Sequence, residues 1–198
     1  MHYAVIGWGS LIWDLDDLAS KVEGPWQRGA GPVLPLEFSR ISAKRKQSLV
    51  LVISRAHGDP CPTHVIASQR QTLPDVVRDL AERERTAPDR IGAVCLKDQV
   101  SQSALPTVSN AVADWCRANG WQGAVWTDLP ENFAEIAGQA FSVDAAVAYV
   151  RRLPEPNLDE AVQYIERAPR QTNTPVRRRL AQDPWWRDAV SARSGSLR

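Results

Sequence analysis

The sequence predicts an α+β protein with a core over residues 1–138 and a helical extension over residues 139–198. Up to about residue 138, short β-rich runs alternate with segments of helical periodicity. Beyond that point the strand-like runs stop, and helical segments separated by prolines follow. With 198 residues and 43% hydrophobic content, the chain is long enough for one compact domain and an appendage.

Within the core, the elements follow from periodicity and from turn residues. Apolar runs predict strands over residues 3–8, 65–68, 91–96 and 123–129. The β-rich runs 34–41 and 48–55, joined by a basic turn, predict a hairpin. Helical spacing predicts helices over 72–85, with Pro74 in the first turn, and over 105–120, with Gly120 as the stop signal. The glycines and prolines of residues 23–32 predict an irregular segment.

The extension contains three predicted helices, over residues 141–153, 157–168 and 174–186. Ser142 and Asn157 are predicted as N-caps, because each precedes an apolar-periodic run with acidic residues in its first turn.

Composition excludes several classes of protein. A net charge of +1 gives no overall attraction to nucleic acid or to anionic membranes. No apolar run approaches the roughly 20 residues of a membrane span, and the first residues do not resemble a secretion signal. Cys61, Cys95 and Cys116 are an odd number without close spacing, which favours reduced thiols over a disulfide framework. A cytoplasmic protein without a membrane partner is therefore expected.

The stretch GWGSLIW, residues 7–13, places two glycines and a serine after the first predicted strand. Such a turn exposes consecutive backbone N–H groups, which can hold a carboxylate or stabilise an oxyanion. A tight turn in which glycine only relieves the backbone is the alternative. A dinucleotide site is not favoured, because Ile12 stands where the third glycine of that fingerprint belongs. No P-loop lysine follows either.

GWGSLIW resembles the loop motif, often written GYGSLIW, that opens the gamma-glutamylcyclotransferase-like superfamily, which includes the ChaC-type and AIG2-like proteins. Members follow this loop with strands and then with a helix that ends in a glutamate, often as an Arg-Glu pair before a glycine and a strand. Here Arg83 and Glu84 stand in that context, and Gly92 opens the next strand. The resemblance covers about residues 3–97. One difference is that Trp8 occupies the position of the motif's tyrosine, which removes a hydroxyl acceptor.

The resemblance implies a small mixed β-barrel-like sheet with surrounding helices. It also implies a reaction in which a γ-glutamyl amine attacks its own γ-carbonyl, so that 5-oxoproline forms and an amine is released. Glu84 is then the predicted general base, and the predicted substrate-binding residues are Trp8, Gly9, Ser10, Leu11 and Arg40. Glu82 competes with Glu84, since residues two apart on a helix point in different directions. The reaction requires no cofactor and no metal.

The expected partner is a small molecule that carries a γ-glutamyl group, and the sequence leaves its identity and the oligomeric state open. A non-catalytic ligand-binding or interaction module on the same fold is the alternative function. Nucleic acid is not the expected partner, although Arg177–Arg179 with Trp185 and Trp186 form a basic and aromatic segment.

Two further groups of residues have alternative interpretations. His57, Asp59, Cys61 and His64 have a spacing compatible with metal ligands, and Cys61 with either histidine could form a nucleophilic pair. The stretch is equally a loop between strands with incidental polar residues. Trp126, Thr127 and Asp128 stand at the end of a predicted strand and could reach a pocket. The favoured interpretation is a core tryptophan, followed by Thr-Asp-Leu-Pro as the start of a helix.

Overall fold

The computed structural model describes residues 2–193. It contains nine strands: β1 (Tyr3–Gly7), β2 (Val22–Gln27), β3 (Val33–Ser42), β4 (Ser48–Ile53), β5 (Asp59–Pro62), β6 (His64–Ser68), β7 (Ile91–Cys95), β8 (Val100–Gln102) and β9 (Gly123–Thr127). The described residues also contain seven α-helices: α1 (Leu73–Glu84), α2 (Pro106–Asn119), α3 (Phe133–Ala137), α4 (Val143–Arg151), α5 (Glu155–Arg167), α6 (Pro175–Ala181) and α7 (Pro184–Ala192). The predicted α+β class is thereby confirmed.

The described residues form two compact units, and each is built from two separate stretches of chain. The first unit comprises residues 2–34 and 62–129, and the second comprises residues 35–61 and 130–193. The predicted division at residue 138 follows chain order and stays a prediction.

The first unit contains a mixed six-stranded sheet in the order β2-β6-β1-β9-β7-β8. The central strands β1 and β9 are parallel, whereas β1 pairs with β6 and β9 pairs with β7 in antiparallel fashion. As this order starts at β2 and stops at β8, the sheet is open at both edges among the described residues. The predicted curling of the sheet into a barrel-like form is not confirmed.

Register aligns four strand termini at one end of this sheet. Gly7, the last residue of β1, pairs with His64, the first residue of β6. Thr127, the last residue of β9, pairs with Ile91, the first residue of β7. We call this the Gly7 end of the sheet. Helix α1 connects β6 to β7, so it runs back along the sheet and finishes towards the Gly7 end.

Helix α1 covers one face of the sheet. Thr72 caps its first turn, and Leu73, Val76 and Leu80 project from one side at helical spacing. These side chains join a buried cluster with sheet residues that include Tyr3, Val5, Ile66, Ile91, Ala93 and Val125. Burial of this face stabilises the helix far more than its own propensity does.

Strand β2 differs from the irregular segment that the sequence predicts. It pairs with β6 through an interrupted register, with Gly24 in the left-handed region at φ +74°. Proline and glycine are tolerated here because β2 is an edge strand, whose outer N–H groups need no partner, and because the register shift absorbs the glycine.

The second unit contains a three-stranded sheet in the order β4-β3-β5. Strands β3 and β4 form the predicted hairpin, paired from Ser42 with Ser48 to Leu36 with Ile53. The turn between them places Lys46 and Gln47 at φ 48° and 62°. Helix α5 packs on β4, and the ring of Tyr164 meets Phe38 edge-on at 6.3 Å.

The helical extension differs from its prediction at two points. Ser142 caps α4 as predicted, accepting a hydrogen bond from the amide of Ala145. Helix α5, however, begins at Glu155 after Pro154, so Asn157 lies inside its first turn. The prediction of Asn157 as an N-cap was wrong, because the fixed φ of the adjacent prolines starts the helix earlier. The third predicted helix divides at Asp183 into α6 and α7.

Two further observations concern cysteines and membranes. Cys61, Cys95 and Cys116 are buried and free of disulfides. Among the described residues, no helix has both the length and the apolar character that a membrane crossing needs.

Candidate functional site

The glycine-serine loop leaves β1 at the Gly7 end of the sheet and turns at once into a short 3-10 helix, Ser10–Ile12. The carbonyl of Gly9 accepts from the Ile12 amide at 3.0 Å, and the carbonyl of Ser10 accepts from the amides of Trp13 and Asp14. Within residues 2–193, the amides of Gly9, Ser10 and Leu11 donate no hydrogen bond to the protein. The turn therefore uses the loop's carbonyls and leaves three consecutive donors, as an anion cradle requires.

Gly7 is required for close packing beneath this loop. A Cβ atom on Gly7 would lie 2.8 Å from the ring of Trp26 and 3.2 Å from the side chains of Leu11 and Ile12. Only glycine lets the indole ring of the edge strand lie against the end of β1. The side chains of Leu11 and Ile12 thus fold back over Gly7 on the loop side, and the Trp26 ring lies against it from the edge strand.

Glu84, the last residue of α1, is linked to this loop through two neighbours. Its Oε1 lies 2.8 Å from Nη1 of Arg83, whose side chain is 2% exposed. The same guanidinium donates from Nε and Nη2 to the carbonyl of Asp14, and the Asp14 amide donates to Ser10 at 2.9 Å. Hydrogen bonds therefore link the Glu84 carboxylate to Arg83 and Arg83 to the carbonyl of Asp14. The amide of the same residue, Asp14, is bonded separately to the carbonyl of Ser10.

Glu82 and Glu84 have different surroundings, as expected for residues two apart on a helix. The side chain of Glu82 is 53% exposed and pairs with Lys21 at 2.7 Å. The Glu84 side chain is only 16% exposed. Glu84 is the more enclosed carboxylate, and it alone of the two is connected to Ser10 through Arg83.

Two buried donors lie near the Gly7 end without a hydrogen-bond partner among residues 2–193. These donors are Nε2 of His64 and Nε1 of Trp26. His64 accepts the amide of Gly29 on Nδ1 at 2.9 Å, so its proton resides on Nε2. Buried donors without partners are rare because each costs free energy. Both donors are therefore candidates for a role beyond packing.

Sequence reasoning missed this role of Trp26 and His64. No local pattern reveals it, since the unpartnered state of each donor depends on strand pairing. The position of His64 opposite Gly7 and of Trp26 over Gly7 emerges only when β2, β6 and β1 associate. The Arg-Glu pair in the sequence pointed to Arg83. No sequence pattern pointed to the carbonyl of Asp14 as its partner.

Trp8 and Arg40 complete the predicted set of binding residues. Trp8 is 5% exposed and follows β1 directly. Arg40 lies on β3 in the second unit, where Nη1 donates to the carbonyl of Pro130 at 2.6 Å. The predicted contact of Arg40 with substrate stays a prediction.

The residues of the 57–64 stretch are engaged separately from one another. Asp59 pairs with Arg178 at 2.5 Å, and the His57 ring lies 4.8 Å from that of Phe141. Within the described residues, no group of three or more histidine, cysteine or acidic side chains could hold a metal ion. Burial raises the pKa of the Cys61 thiol, which opposes the thiolate form that a nucleophile needs.

Trp126 is a core residue rather than a pocket residue. It is fully buried, and a Cβ on the paired Gly92 would lie 2.1 Å from its ring. Asp128 accepts the amide of Ala104 at 2.8 Å and fixes the entry to α2. The burial of Trp126 agrees with the favoured interpretation of a core tryptophan.

No family model, curated protein or solved structure matches the chain.

Proposed function

We propose that this protein is a gamma-glutamylcyclotransferase-like enzyme that converts a γ-glutamyl amide into 5-oxoproline and a free amine. Glu84 is its general base, and the amides of Gly9, Ser10 and Leu11 form the anion cradle. The observation that supports this most is that Arg83 holds the Glu84 carboxylate and also bonds the backbone of Asp14, the residue that closes the glycine-serine loop onto Ser10.

The reaction requires one base and no external reactant. Glu84 takes a proton from the substrate's α-ammonium group, and the resulting amine attacks the γ-carbonyl carbon. A C–N bond forms within the five-membered ring, while negative charge develops on the carbonyl oxygen. The C–N bond to the leaving amine then breaks as Glu84 gives its proton to that nitrogen. Glu84 also takes the second proton from the ring nitrogen and passes it to the released amine, so the lactam keeps one N–H and the amine departs as ammonium.

Each component of the site has a distinct task in this proposal. The loop amides donate to the oxyanion or to the glutamyl carboxylate, and the buried N–H groups of Trp26 and His64 add donors for the substrate's oxygens. Arg83 is a positioning residue, since it holds Glu84 and the Asp14 carbonyl together. Trp8 and Arg40 are proposed to contact substrate.

The proposal extends to fold and location. We assign the first unit to the barrel-like superfamily fold, on the basis of its mixed sheet and of the loop that leaves β1. We also propose that the protein is cytoplasmic, which agrees with three free, buried cysteines.

The decisive experiment measures 5-oxoproline release from a panel of γ-glutamyl compounds. We expect Glu84→Gln to lower kcat/KM at least about 100-fold, because general bases typically contribute 10²–10⁴. Glu82→Gln is the matched control: it makes the same change two residues away, and its activity should stay within about twofold of the native protein. Equal losses in the two variants, with both folded by circular dichroism, would contradict the role of Glu84.

The second candidate is a ligand-binding module without chemistry. It is favoured by the 2.8 Å contact that already occupies one oxygen of Glu84 with Arg83. This candidate predicts that γ-glutamyl compounds bind in calorimetry, that no 5-oxoproline forms, and that Glu84→Gln leaves the affinity unchanged.

A further inference from the structure

A second charged site lies in the second unit and shares no lining residue with the proposed reaction. The loop between α5 and α6 borders a pocket of about 380 Å³. Its lining consists of Arg170, Asn173, Arg177, Arg178, Ala181 and Gln182. Three guanidinium groups and two side-chain amides surround this space, and no carboxylate lines it.

Arg177 fixes the shape of the pocket. Its Nη1 donates to the carbonyls of Pro169 and Thr172, at 2.7 and 3.2 Å, and its Nη2 donates to those of Glu166 and Ala168. All four partners are neutral carbonyls, so these bonds orient the side chain without forming an ion pair. The loop is thereby held around a half-buried positive charge.

The charges in the pocket are incompletely balanced. Arg178 has a carboxylate partner, Asp59, at 2.5 Å. For Arg170 and Arg177, residues 2–193 supply no carboxylate within ion-pair distance. Burial lowers the pKa of Arg177, Glu166 partly offsets this, and the neighbouring charge of Arg170 lowers it further. A bound anion would relieve the repulsion between the two cations.

We propose that this pocket binds a phosphoryl group carried by a small molecule. Guanidinium groups match the geometry and charge of phosphate and can bond it through two N–H groups at once. Arg170 and Arg178 are the direct contacts, Arg177 supplies charge and positions the loop, and the amides of Asn173 and Gln182 donate to remaining oxygens. A volume of about 380 Å³ lies at the small end of ligand pockets, which leaves room for an organic group.

A small ligand agrees better with the arginines than a nucleic acid does. Arg179 does not line the pocket and pairs with Asp144 at 3.4 Å and with Asp183 at 3.6 Å. Trp186 is buried and donates to Glu166, and Trp185 lies under the guanidinium of Arg151. The basic and aromatic side chains therefore form no continuous track for a phosphate backbone.

The test uses calorimetry on the full chain, with glycerol 3-phosphate, inorganic phosphate and glycerol as probes. We expect glycerol 3-phosphate to bind, glycerol not to bind, and affinity to fall as salt is added. Arg170→Gln should weaken binding about 10-fold or more, because it removes a charge-assisted contact. If inorganic phosphate binds as tightly as the ester, the phosphoryl group is recognised alone and the free ion is the ligand.

Arg187→Gln is the matched control, since Arg187 is exposed on α7 and does not line the pocket. It should leave affinity unchanged. The proposal fails if no phosphate compound binds, if Arg187→Gln weakens binding as much as Arg170→Gln, or if a single-stranded oligonucleotide binds more tightly than the ester. Each outcome is independent of 5-oxoproline release, so the two proposals stand or fall separately.

Discussion

At the scale of single residues, His64 shows how strand pairing can bury a polar group and leave one of its atoms without a partner. It is fully buried, Nδ1 is occupied by the Gly29 amide, and Nε2 has no partner among the described residues. Burial lowers the pKa of His64 below its ordinary value of 6.5, and the charge of Arg28 contributes in the same direction.

This shift predicts a dependence of stability on pH. In the unfolded chain His64 binds a proton below about pH 6.5, whereas in the folded chain it stays neutral to a lower pH. The contribution of His64 to stability is therefore present above pH 6.5. It is lost as pH falls from about 6.5 towards the lower folded pKa, at no more than about 1.4 kcal/mol per pH unit. The free energy of urea unfolding, measured between pH 5 and pH 7.5, reports this slope.

His64→Asn should flatten that slope, because asparagine does not titrate and its Oδ1 can still accept the Gly29 amide. His2→Asn, a change at an exposed histidine, should retain the native slope. Parallel curves for native protein and His64→Asn would show that another group accounts for the pH dependence.

The sequence predicts the residues of the candidate site better than it predicts their connections. Motif order singles out Gly9, Ser10 and Glu84. Helical spacing shows that Glu82 and Glu84 point in different directions, but it does not show which of them faces the loop. What distinguishes the two comes from tertiary packing: Glu82 pairs with Lys21, and Arg83, the neighbour of Glu84, bonds the distant carbonyl of Asp14. Local patterns contain no information about such pairings.

At the scale of elements, the reliable predictions are those with both periodicity and a terminal signal. Helix α2 ends at Gly120 in the left-handed region, and α1 begins with Thr72 as cap and Pro74 in its first turn. Strand β8 was missed for the opposite reason, and the helix predicted to start at Thr-Asp-Leu-Pro, residues 127–130, begins only at Phe133. Val100–Gln102 is exposed throughout, and the five residues Phe133–Ala137 are too few for a periodic pattern.

Helix capping supplies a prediction at this scale. Ser142 is outside α4, and its Oγ accepts the Ala145 amide at 3.1 Å. Ser142→Ala should lower the free energy of unfolding by about 1 kcal/mol, because that amide loses its acceptor. Chemical denaturation measures the change.

Ser142→Asp is the control for the cap, since aspartate also accepts hydrogen bonds at an N-cap position and suits the positive end of the helix dipole. It should unfold at the native denaturant concentration within error. A loss equal to that of the alanine variant would mean that the serine acts through some contact other than the cap.

At the scale of the whole molecule, each unit draws on two stretches of chain. The hairpin β3–β4 comes early in sequence, yet its buried side chains, including Leu36, Phe38, Leu49 and Leu51, belong to the same unit as the helices after residue 130. The change from strand-like to helical sequence patterns near residue 138 marks where the strands stop. Such patterns contain no information about which segments pack together.

Truncation after residue 138 tests the predicted division directly. Without α5, the face of β4 on which that helix packs and the Phe38 ring beside Tyr164 lose their cover. We expect the fragment to bind an apolar dye and to unfold at lower denaturant than the full chain. Cooperative unfolding without dye binding would instead establish residues 1–138 as an independent domain.

The parallel pairing of β1 with β9 has a consequence for biosynthesis. β1 can meet β6 once residue 68 has been made, but its other neighbour spans residues 123–127. At ribosomal rates of about 5–20 residues per second, roughly 3–11 s separate the emergence of the two neighbours. During that interval one side of β1 is an open strand edge, which can pair with a strand of another chain. The glycine-serine loop therefore reaches its final surroundings late in translation.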